Sequence, residues 1–279
     1  MNTPKQISEL YYSQLKDIYS KREISNIIQL VFFKLKSWNR IDISLNNKLE
    51  LLENESDKYI RIIDRLKQYE PIQYILKEST FCDLNIIVNS SVLIPRPETE
   101  ELVYLIIDKI SNNNKVLDIG TGSGCIALAL KNINRTLDVS AIDISKSAID
   151  IAINNANNLD LDVNFYKEDI FEINNTLKFS CIVSNPPYIP NEEYRFMSKN
   201  VLNYEPKQAL FVPDNNPLKF YKKIAEFAKK NLCREGYLFF EIHEDMAKKI
   251  EELLVYLGFN NIVIHKDFQD KDRIVYCQR

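Results

Sequence analysis

Residues 117–124 read LDIGTGSG, an apolar, strand-like run followed by three glycines in five positions. The chain of 279 residues has only five glycines, so most of its glycine is concentrated in this one turn. Glycine is needed where the backbone takes a left-handed conformation or where another group comes too close for a side chain. The stretch therefore predicts a strand that turns tightly into a helix, with a ligand or a closely packed element against the turn.

The sequence around this turn alternates between strand and helix patterns from about residue 99 to the end. Alternation of this kind predicts a mainly parallel sheet with helices on both faces. The strand-like segments are KVLDIG (115–120), LDVSAID (137–143), VNFYKED (163–169), CIVSNPP (181–187), GYLFFEI (236–242), NIVIHKD (261–267) and RIVYCQ (273–278). Only FQDKD joins the last two, which predicts an antiparallel hairpin at one edge of the sheet.

The sequence before residue 99 has a different character. Residues 2–70 carry apolar residues at three- and four-residue steps and have no convincing strand pattern, whereas residues 80–89 alternate as a hairpin does. We therefore predict a helical domain over 1–70, a linker with a β-hairpin over 71–98, and an α/β domain over 99–279.

Composition narrows the functional classes. The net charge of -3 arises from 36 basic and 39 acidic residues, so no excess of one sign favours broad binding to nucleic acid or to a membrane. No apolar run approaches the length of a membrane span, and the first residues lack the pattern of a secretory leader, which predicts a cytoplasmic protein. Five widely spaced cysteines and two histidines predict neither a disulfide framework nor a zinc site.

Polar residues occur where successive strands end. Asp118 and the glycines close the first strand, and Asp143, Asp169 and Asn185 close the next three, so a parallel sheet brings them to one edge. Asp143 follows the glycines by roughly 20 residues, the spacing at which an acidic side chain accepts the hydroxyl protons of a ribose. Asp169 or Ile170 would then meet an adenine ring. Taken alone, Asp143 also fits a helix-capping loop, and the glycines fit tight packing.

Residues 181–190, CIVSNPPYIP, end a strand with two consecutive prolines. Neither proline can donate a ladder hydrogen bond, and each restricts the residue before it, so Asn185 and Tyr188 are held at a stiff strand end. A simple strand stop with a surface tyrosine is the structural alternative.

The order VLDIGTGSG, AIDIS and IVSNPPYI resembles class I S-adenosylmethionine-dependent methyltransferases that modify planar nitrogen atoms. With PIQYI and SVLIPRPETEELV before the first strand and YEPKQAL after NPPYIP, the chain looks like the HemK/PrmC family, the protein-(glutamine-N5) methyltransferases of peptide-chain release factors. Matching motifs run from Pro71 to about Leu210, with a weaker echo in DRIVYCQR. The resemblance implies a Rossmann-like, mostly parallel seven-stranded sheet with an antiparallel edge hairpin and a small N-terminal helical domain.

The resemblance also implies roles for residues. S-adenosylmethionine is the expected cofactor, and no metal is expected. The expected cofactor-binding residues are Asp118, Gly120, Thr121, Gly122, Ser123, Gly124, Asp143, Asp169, Ile170 and Asn185. The expected catalytic residues are Asn185, Pro186, Pro187 and Tyr188, and a substrate loop contains Arg96, Glu98 and Thr99. The structural alternative for this loop is a helix start capped by Thr99.

Chemistry supports the catalytic group. An amide nitrogen is a poor nucleophile, because its lone pair is delocalised into the carbonyl. The Asn185 side-chain oxygen and the Pro186 carbonyl can each accept one hydrogen of a substrate NH2 group, which fixes the nitrogen and favours the charge that develops on it. Tyr188 can pack against the flat amide.

The implied substrate is the glutamine of the Gly-Gly-Gln loop in bacterial-type class I release factors, with the helical domain as a second contact. We expect a monomer without stable nucleic-acid or membrane binding. One alternative is an N-methyltransferase acting on an exocyclic amine of a nucleic-acid base, which the slightly acidic balance disfavours. Another is a non-catalytic cofactor-binding protein, which the intact glycines, Asp143 and NPPY disfavour.

Three departures from the family pattern concern loops. Lys77 stands where the family usually has glycine after QYI, His243 stands where glycine tends to follow EI, and PDNNPLKFY (213–221) replaces a glycine-bearing stretch. We expect altered loop geometry near 77 and 211–217 but the same chemistry. His243 and His265 are expected to be surface or packing residues.

Overall fold

The computed structural model describes residues 2–174 and 176–279, so Met1, with which the predicted helical domain begins, lies outside the described residues. The chain divides into two compact units. One comprises 2–77 together with Ser198–Tyr204, and the other comprises Glu78–Met197 and Glu205–Arg279. The domain boundaries at residues 70 and 98 stay predictions.

Helices occur in both units. In chain order they are α1 Pro4–Leu15, α2 Lys21–Lys36, α3 Arg40–Leu45, α4 Glu53–Lys67, α5 Ile72–Leu76, α6 Pro97–Lys109, α7 Cys125–Ile133, α8 Lys146–Leu159, α9 Lys199–Tyr204, α10 Lys207–Leu210, α11 Lys219–Asn231 and α12 Ala247–Tyr256. Short 3-10 helices cover Asn191–Phe196 and Glu244–Met246. None of the helices in the described parts of the chain is long and apolar enough to cross a membrane.

The strands lie in the larger unit. In chain order they are β1 Glu78–Phe81, β2 Leu84–Ile87, β3 Lys115–Ile119, β4 Asp138–Asp143, β5 Asn164–Lys167, β6 Phe179–Ser184, β7 Ile189–Pro190, β8 Phe211–Val212, β9 Leu232–Glu241, β10 Asn260–Lys266 and β11 Asp272–Gln278.

The smaller unit is an all-helical bundle. Side chains of Thr3, Ser20 and Asn39 accept hydrogen bonds from the first turns of α1, α2 and α3, so the sequence itself starts these helices. The apolar stripes of α1, α2 and α4 meet in a core where the buried Tyr11 hydroxyl donates to the Tyr59 carbonyl. The helical domain predicted from periodicity is therefore present as a packed bundle.

The larger unit is built on a seven-stranded sheet in the order β10-β11-β9-β6-β3-β4-β5. The strands from β9 to β5 pair in parallel, and β11 pairs antiparallel with both β9 and β10. This confirms the predicted fold class, including the edge hairpin. The central strands β3 and β6 are buried apolar runs, as expected for strands covered on both faces.

The direction of progression reverses between β3 and β6. The chain moves from β3 outward to β4 and β5, and then returns to β6 on the other side of β3. In open α/β sheets such a reversal leaves a crevice at the carboxyl ends of the two strands. The glycine turn follows β3 and Asn185 follows β6, so both sequence signals fall at this point.

Two smaller pairs of strands flank the sheet. β1 and β2 form an antiparallel hairpin whose turn residues, Cys82 and Asp83, both have positive φ. β7 and β8 form a two-residue parallel pair. That pair ends just before the predicted departure at 213–221, where the Asp214 carboxylate accepts the backbone N–H of Glu192.

The backbone of Lys77 has a conformation that is strained for a residue with a side chain. It is the residue after α5 and has φ of 60°, the left-handed conformation that favours glycine at helix ends. A lysine at this position keeps the turn but carries the cost of its Cβ.

Candidate active site

A cavity of about 380 Å³ lies at the carboxyl ends of β3, β4 and β6. Every segment that lines it belongs to the larger unit. The predicted site residues that line it are Arg96, Thr99, Gly120, Thr121, Gly122, Ser123, Asp143, Asp169, Ile170, Asn185, Pro186 and Pro187. Asp118, Gly124, Glu98 and Tyr188 are not among the described residues that line it.

The three glycines of the turn have two different roles. Gly120 and Gly122 have φ of 76° and 55°, and a Cβ built on either would meet nothing within 4 Å. Gly124 has φ of 82°, but its Cβ would lie 3.1 Å from the Ala152 side chain. The first two glycines therefore leave open space on the cavity side, whereas the third permits close packing of α7 against α8.

Asp143 closes β4 and holds the turn. Its Oδ2 accepts the Gly122 N–H at 2.9 Å, and its Oδ1 accepts the Ser145 N–H at 2.9 Å. Burial raises the pKa of Asp143, and these backbone donors oppose that effect. Because each carboxylate oxygen can accept two hydrogen bonds, the Asp143 carboxylate keeps the capacity to accept a further hydroxyl.

Asp118 supports the turn from beneath. It is fully buried, and its Oδ2 accepts the Thr121 hydroxyl at 2.6 Å. Its Oδ1 has no hydrogen-bond partner within the described residues. Burial raises the pKa of Asp118, the Thr121 hydrogen bond lowers it, and the neighbouring Asp143 raises it. The resulting pKa is about 7.

The adenine side of the predicted site follows β5. The Asp169 Oδ1 accepts the Phe171 N–H at 2.8 Å, which fixes the loop, and Ile170 is 8% exposed. An apolar side chain here suits a flat ring, and Asp143 suits a ribose. Together with the open Cβ positions at the glycine turn, these residues fit S-adenosylmethionine.

Asn185 lies beside the glycine turn because β6 pairs directly with β3. The Ser184 hydroxyl donates to the Ile119 carbonyl at 2.7 Å, which joins the two strand ends. The Asn185 Nδ2 donates to the Thr99 hydroxyl at 3.5 Å. This places an amide side chain, followed by two prolines, at the rim of the cavity.

Tyr188 lies away from the lining residues. Its hydroxyl donates to Glu241 Oε1 at 3.4 Å, and its ring packs edge-on to His243 with centroids 6.0 Å apart. Burial raises the pKa of Tyr188. The stacking of Tyr188 on a substrate amide stays a prediction.

The loop before α6 is held in place by the buried Glu205. Arg96 donates to Glu205 Oε1 at 2.6 Å, and Glu205 is 4% exposed. The alternative in which Thr99 caps α6 is wrong, because Arg96 occupies the cap position and Thr99 lies in the first turn. Glu98 accepts from Gln269 at 3.2 Å near the protein surface.

Three buried polar residues of the larger unit have no role predicted from the sequence: Glu205, Glu241 and Asn155. Glu205 lies inside the quoted YEPKQAL, and Glu241 ends a strand as Asp143 does, so both carried a usable signal. Asn155 of α8 donates to the Ser123 carbonyl at 2.9 Å and bonds both backbone groups of Ile87. No local pattern in the sequence indicates this contact.

Within residues 2–174 and 176–279, no group of three or more His, Cys, Asp or Glu side chains is arranged to hold a metal ion. His243 accepts the Asp245 N–H and lies 3.5 Å from Glu193.

Known families and known proteins match this chain. Residues 9–76 match the family described as PrmC N-terminal domain, and residues 98–212 match the family described as Methyltransferase small domain. A "Release factor glutamine methyltransferase" of Flavobacterium psychrophilum is 41% identical over 95% of this chain and 95% of its own length. One of Bacteroides thetaiotaomicron is 39% identical over 95% of this chain and 96% of its own length.

A solved structure supports the fold alone. A methyltransferase from Pyrococcus furiosus superposes with a TM-score of 0.53 at 18% identity, covering 70% of this chain and 88% of that one. The sequence relatives extend over nearly the whole chain, including both the helical unit and the sheet that carries the cavity. This chain therefore belongs to the release factor glutamine methyltransferase family.

Proposed function

We propose that the protein methylates the side-chain amide nitrogen of the glutamine in the Gly-Gly-Gln loop of bacterial-type class I release factors. The observation that carries the proposal is the pairing of β3 with β6, which sets Asn185 next to the glycine turn at the rim of one cavity. A cofactor pocket and an amide-holding group on neighbouring strands are what transfer to a side-chain amide needs. Family membership supports the same substrate.

The cofactor would lie against Gly120 and Gly122, with its ribose on Asp143 and its adenine near Ile170. When bound, S-adenosylmethionine supplies an already activated methyl group. The residues of the chain then have two tasks: to hold the donor in a fixed orientation, and to exclude water through the apolar walls of the cavity. The buried Asp118 keeps the glycine turn in shape through Thr121.

The acceptor amide would be held by Asn185 Oδ1 and the Pro186 carbonyl. Each accepts one N–H of the substrate NH2 group, so the nitrogen is fixed and the positive charge that develops on it is stabilised. Pro186 and Pro187 hold these acceptors stiffly, and little conformational entropy is lost when the substrate binds. The substrate loop with Arg96, held by Glu205, would border the glutamine.

The helical unit would provide the second contact to the release factor. Its α2 and α3 expose large apolar side chains, with Phe33 59% and Leu45 77% accessible. Exposed apolar side chains of this size suit a protein partner. The remaining parts of the proposal are a monomeric enzyme, no stable binding to nucleic acid, and action in the cytoplasm, where translation takes place.

The test supplies labelled S-adenosylmethionine and purified enzyme with four acceptors. These are a class I release factor, the same factor with its loop glutamine changed to asparagine, ribosomal RNA and DNA. Label on the unaltered factor alone, mapped by mass spectrometry to the loop glutamine, is the expected result. Label on nucleic acid would reject the proposal in favour of base methylation, and label on both factors would reject the assigned glutamine.

A further inference from the structure

A buried carboxylate lies behind the amide-holding asparagine. Glu241 is the last residue of β9, is 2% exposed, and accepts the Thr99 hydroxyl on Oε2 at 2.6 Å. Thr99 in turn accepts Asn185 Nδ2 at 3.5 Å, a long hydrogen bond of the kind that shortens when a site is filled. A chain of hydrogen bonds thus leads from Glu241 through Thr99 to Asn185.

The direction of these hydrogen bonds determines which end of the Asn185 amide faces the cavity. A threonine hydroxyl has one proton, and an ionised carboxylate can only accept. If Thr99 gives its proton to Glu241, only its lone pairs remain for Asn185, so Nδ2 must point to Thr99. The Asn185 oxygen is then left as the free acceptor.

The surroundings of Glu241 act on its carboxyl group in opposite directions, with a net rise of its pKa. Burial raises the pKa of Glu241, whereas the Thr99 hydroxyl and the cation of Arg273 lower it, and Glu98 raises it again. The short distance to the Thr99 oxygen is typical of a hydrogen bond to a charged acceptor.

We propose that Glu241 is a positioning residue that, through Thr99, holds the Asn185 side chain with its oxygen toward the substrate amide. The opposite orientation would present an NH2 group to the NH2 group of the substrate, and the two donors would repel each other. The proposal rests on the proposed transfer to a glutamine. It adds a requirement that Asn185 alone does not reveal, namely a fixed amide orientation.

The same carboxylate also binds the residue that follows the two prolines. Its second oxygen, Oε1, accepts the Tyr188 hydroxyl at 3.4 Å. Asn185 and Tyr188 flank Pro186 and Pro187, so Glu241 fixes both ends of the NPPY element. The element is stiffened by its prolines within the chain and by Glu241 from a neighbouring strand.

The first experiment compares Thr99→Val, which keeps the shape of the side chain and removes the hydroxyl, with Thr99→Ser, which restores a hydroxyl. We expect Thr99→Val to lower kcat for release-factor methylation at least about 10-fold, since the hydrogen bonds that orient Asn185 are lost. The KM for the release factor and the affinity for S-adenosylmethionine should each change less than about threefold. Thr99→Ser should recover most of kcat. A loss in kcat for Thr99→Val below about threefold would overturn the proposal.

A matched control lies on the same residue. The Tyr221 hydroxyl is buried and donates to the backbone carbonyl of Glu241 at 3.1 Å, whereas Thr99 and Tyr188 donate to the carboxylate. Tyr221→Phe therefore removes a buried hydroxyl near Glu241 without changing the orientation of Asn185. A similar loss of kcat in Tyr221→Phe and Thr99→Val would show general loosening instead of positioning, and would reject the proposal.

A double-mutant cycle and a spectroscopic measurement complete the test. Asn185→Ala should cost much less in the Thr99→Val background than in the wild type, whereas independent losses would contradict the proposal. In 1H–15N spectra, the side-chain amide of Asn185 is assigned by its disappearance in Asn185→Ala. One of its protons should be protected from solvent exchange in the wild type and unprotected in Thr99→Val.

The spectroscopic result separates the two proposals. A wild-type enzyme that leaves the release factor unlabelled rejects the proposed function, but protection of the amide proton still supports the positioning role. Equal exchange in the wild type and in Thr99→Val rejects the positioning role, whatever the enzyme methylates.

Discussion

Replacing Gly122 with alanine should weaken the binding of S-adenosylmethionine and should lower the thermal stability only slightly. Gly122 has φ of 55°, and a methyl group there meets no protein atom within 4 Å, so it would project into open space in the turn that borders the cavity. The strain of a left-handed alanine costs about 1–2 kcal/mol. In a domain of roughly 150–250 residues, each kcal/mol lowers the melting temperature by about 2–4 °C.

Gly258→Ala is the matched control. Gly258 has φ of 75° at the end of α12, is exposed, and lies near only the flexible end of Lys229. Both variants should lose similar thermal stability, because both carry the same backbone strain. Only Gly122→Ala should weaken binding of S-adenosylmethionine in calorimetry, by at least about tenfold, which corresponds to about 1.4 kcal/mol. Equal affinity in the two variants would refute the argument that the glycine makes room for the ligand.

Four further predictions follow from the site and the fold. Asn185→Ala should lower the methylation rate about 100- to 1000-fold in single-turnover assays while the protein stays folded, because a preorganised polar group is lost; a rate near that of the wild type would end its proposed role. Lys77→Gly should raise the free energy of unfolding by about 1 kcal/mol in urea titrations, since it relieves a left-handed lysine; a decrease would contradict the strain argument. The raised pKa of Asp118, about 7, means that its contribution to stability is full below about pH 4 and is lost as the pH rises through 7, so Asp118→Asn should gain stability relative to the wild type across that interval; parallel stability curves would exclude this. Phe33→Asp should raise the KM for the release factor at least about threefold, whereas Tyr256→Asp, 84% exposed on α12, should not; equal KM values in both would reject docking through this face.

Much of the fold could be predicted because its signals are local. The apolar run and glycines at 117–124 mark β3 and its turn, and Ser145 caps α8 through a hydrogen bond to the Ala148 N–H, as its place before a helical stretch indicates. The short pair β7–β8 could not be predicted, because two residues carry no periodicity. Strand β9 begins at Leu232, before the predicted start at 236. It includes Glu235, which has a left-handed conformation.

The candidate site was predictable where strand ends carry polar residues. Asp143, Asp169 and Asn185 line the cavity together, since neighbouring parallel strands bring their ends to one edge, and their roles stay predictions. The contact between Thr99 and Glu241 spans 142 positions in the sequence. Contacts between residues so far apart in the sequence depend on how the folded chain packs. Neither residue type nor spacing predicts them.

The direct pairing of β3 with β6 has a consequence for changing what the enzyme accepts. Neighbouring strands are about 4.8 Å apart, and the Ser184–Ile119 hydrogen bond fixes this pair at its carboxyl end. The distance between the glycine turn and Asn185 is thus set by the pairing of the two strands. Redesign toward another amide or amine can change Arg96 and the residues before it but has to keep Thr99, whose hydroxyl accepts the Asn185 Nδ2 hydrogen. A substitution within the strand pair would move Asn185 relative to the glycine turn.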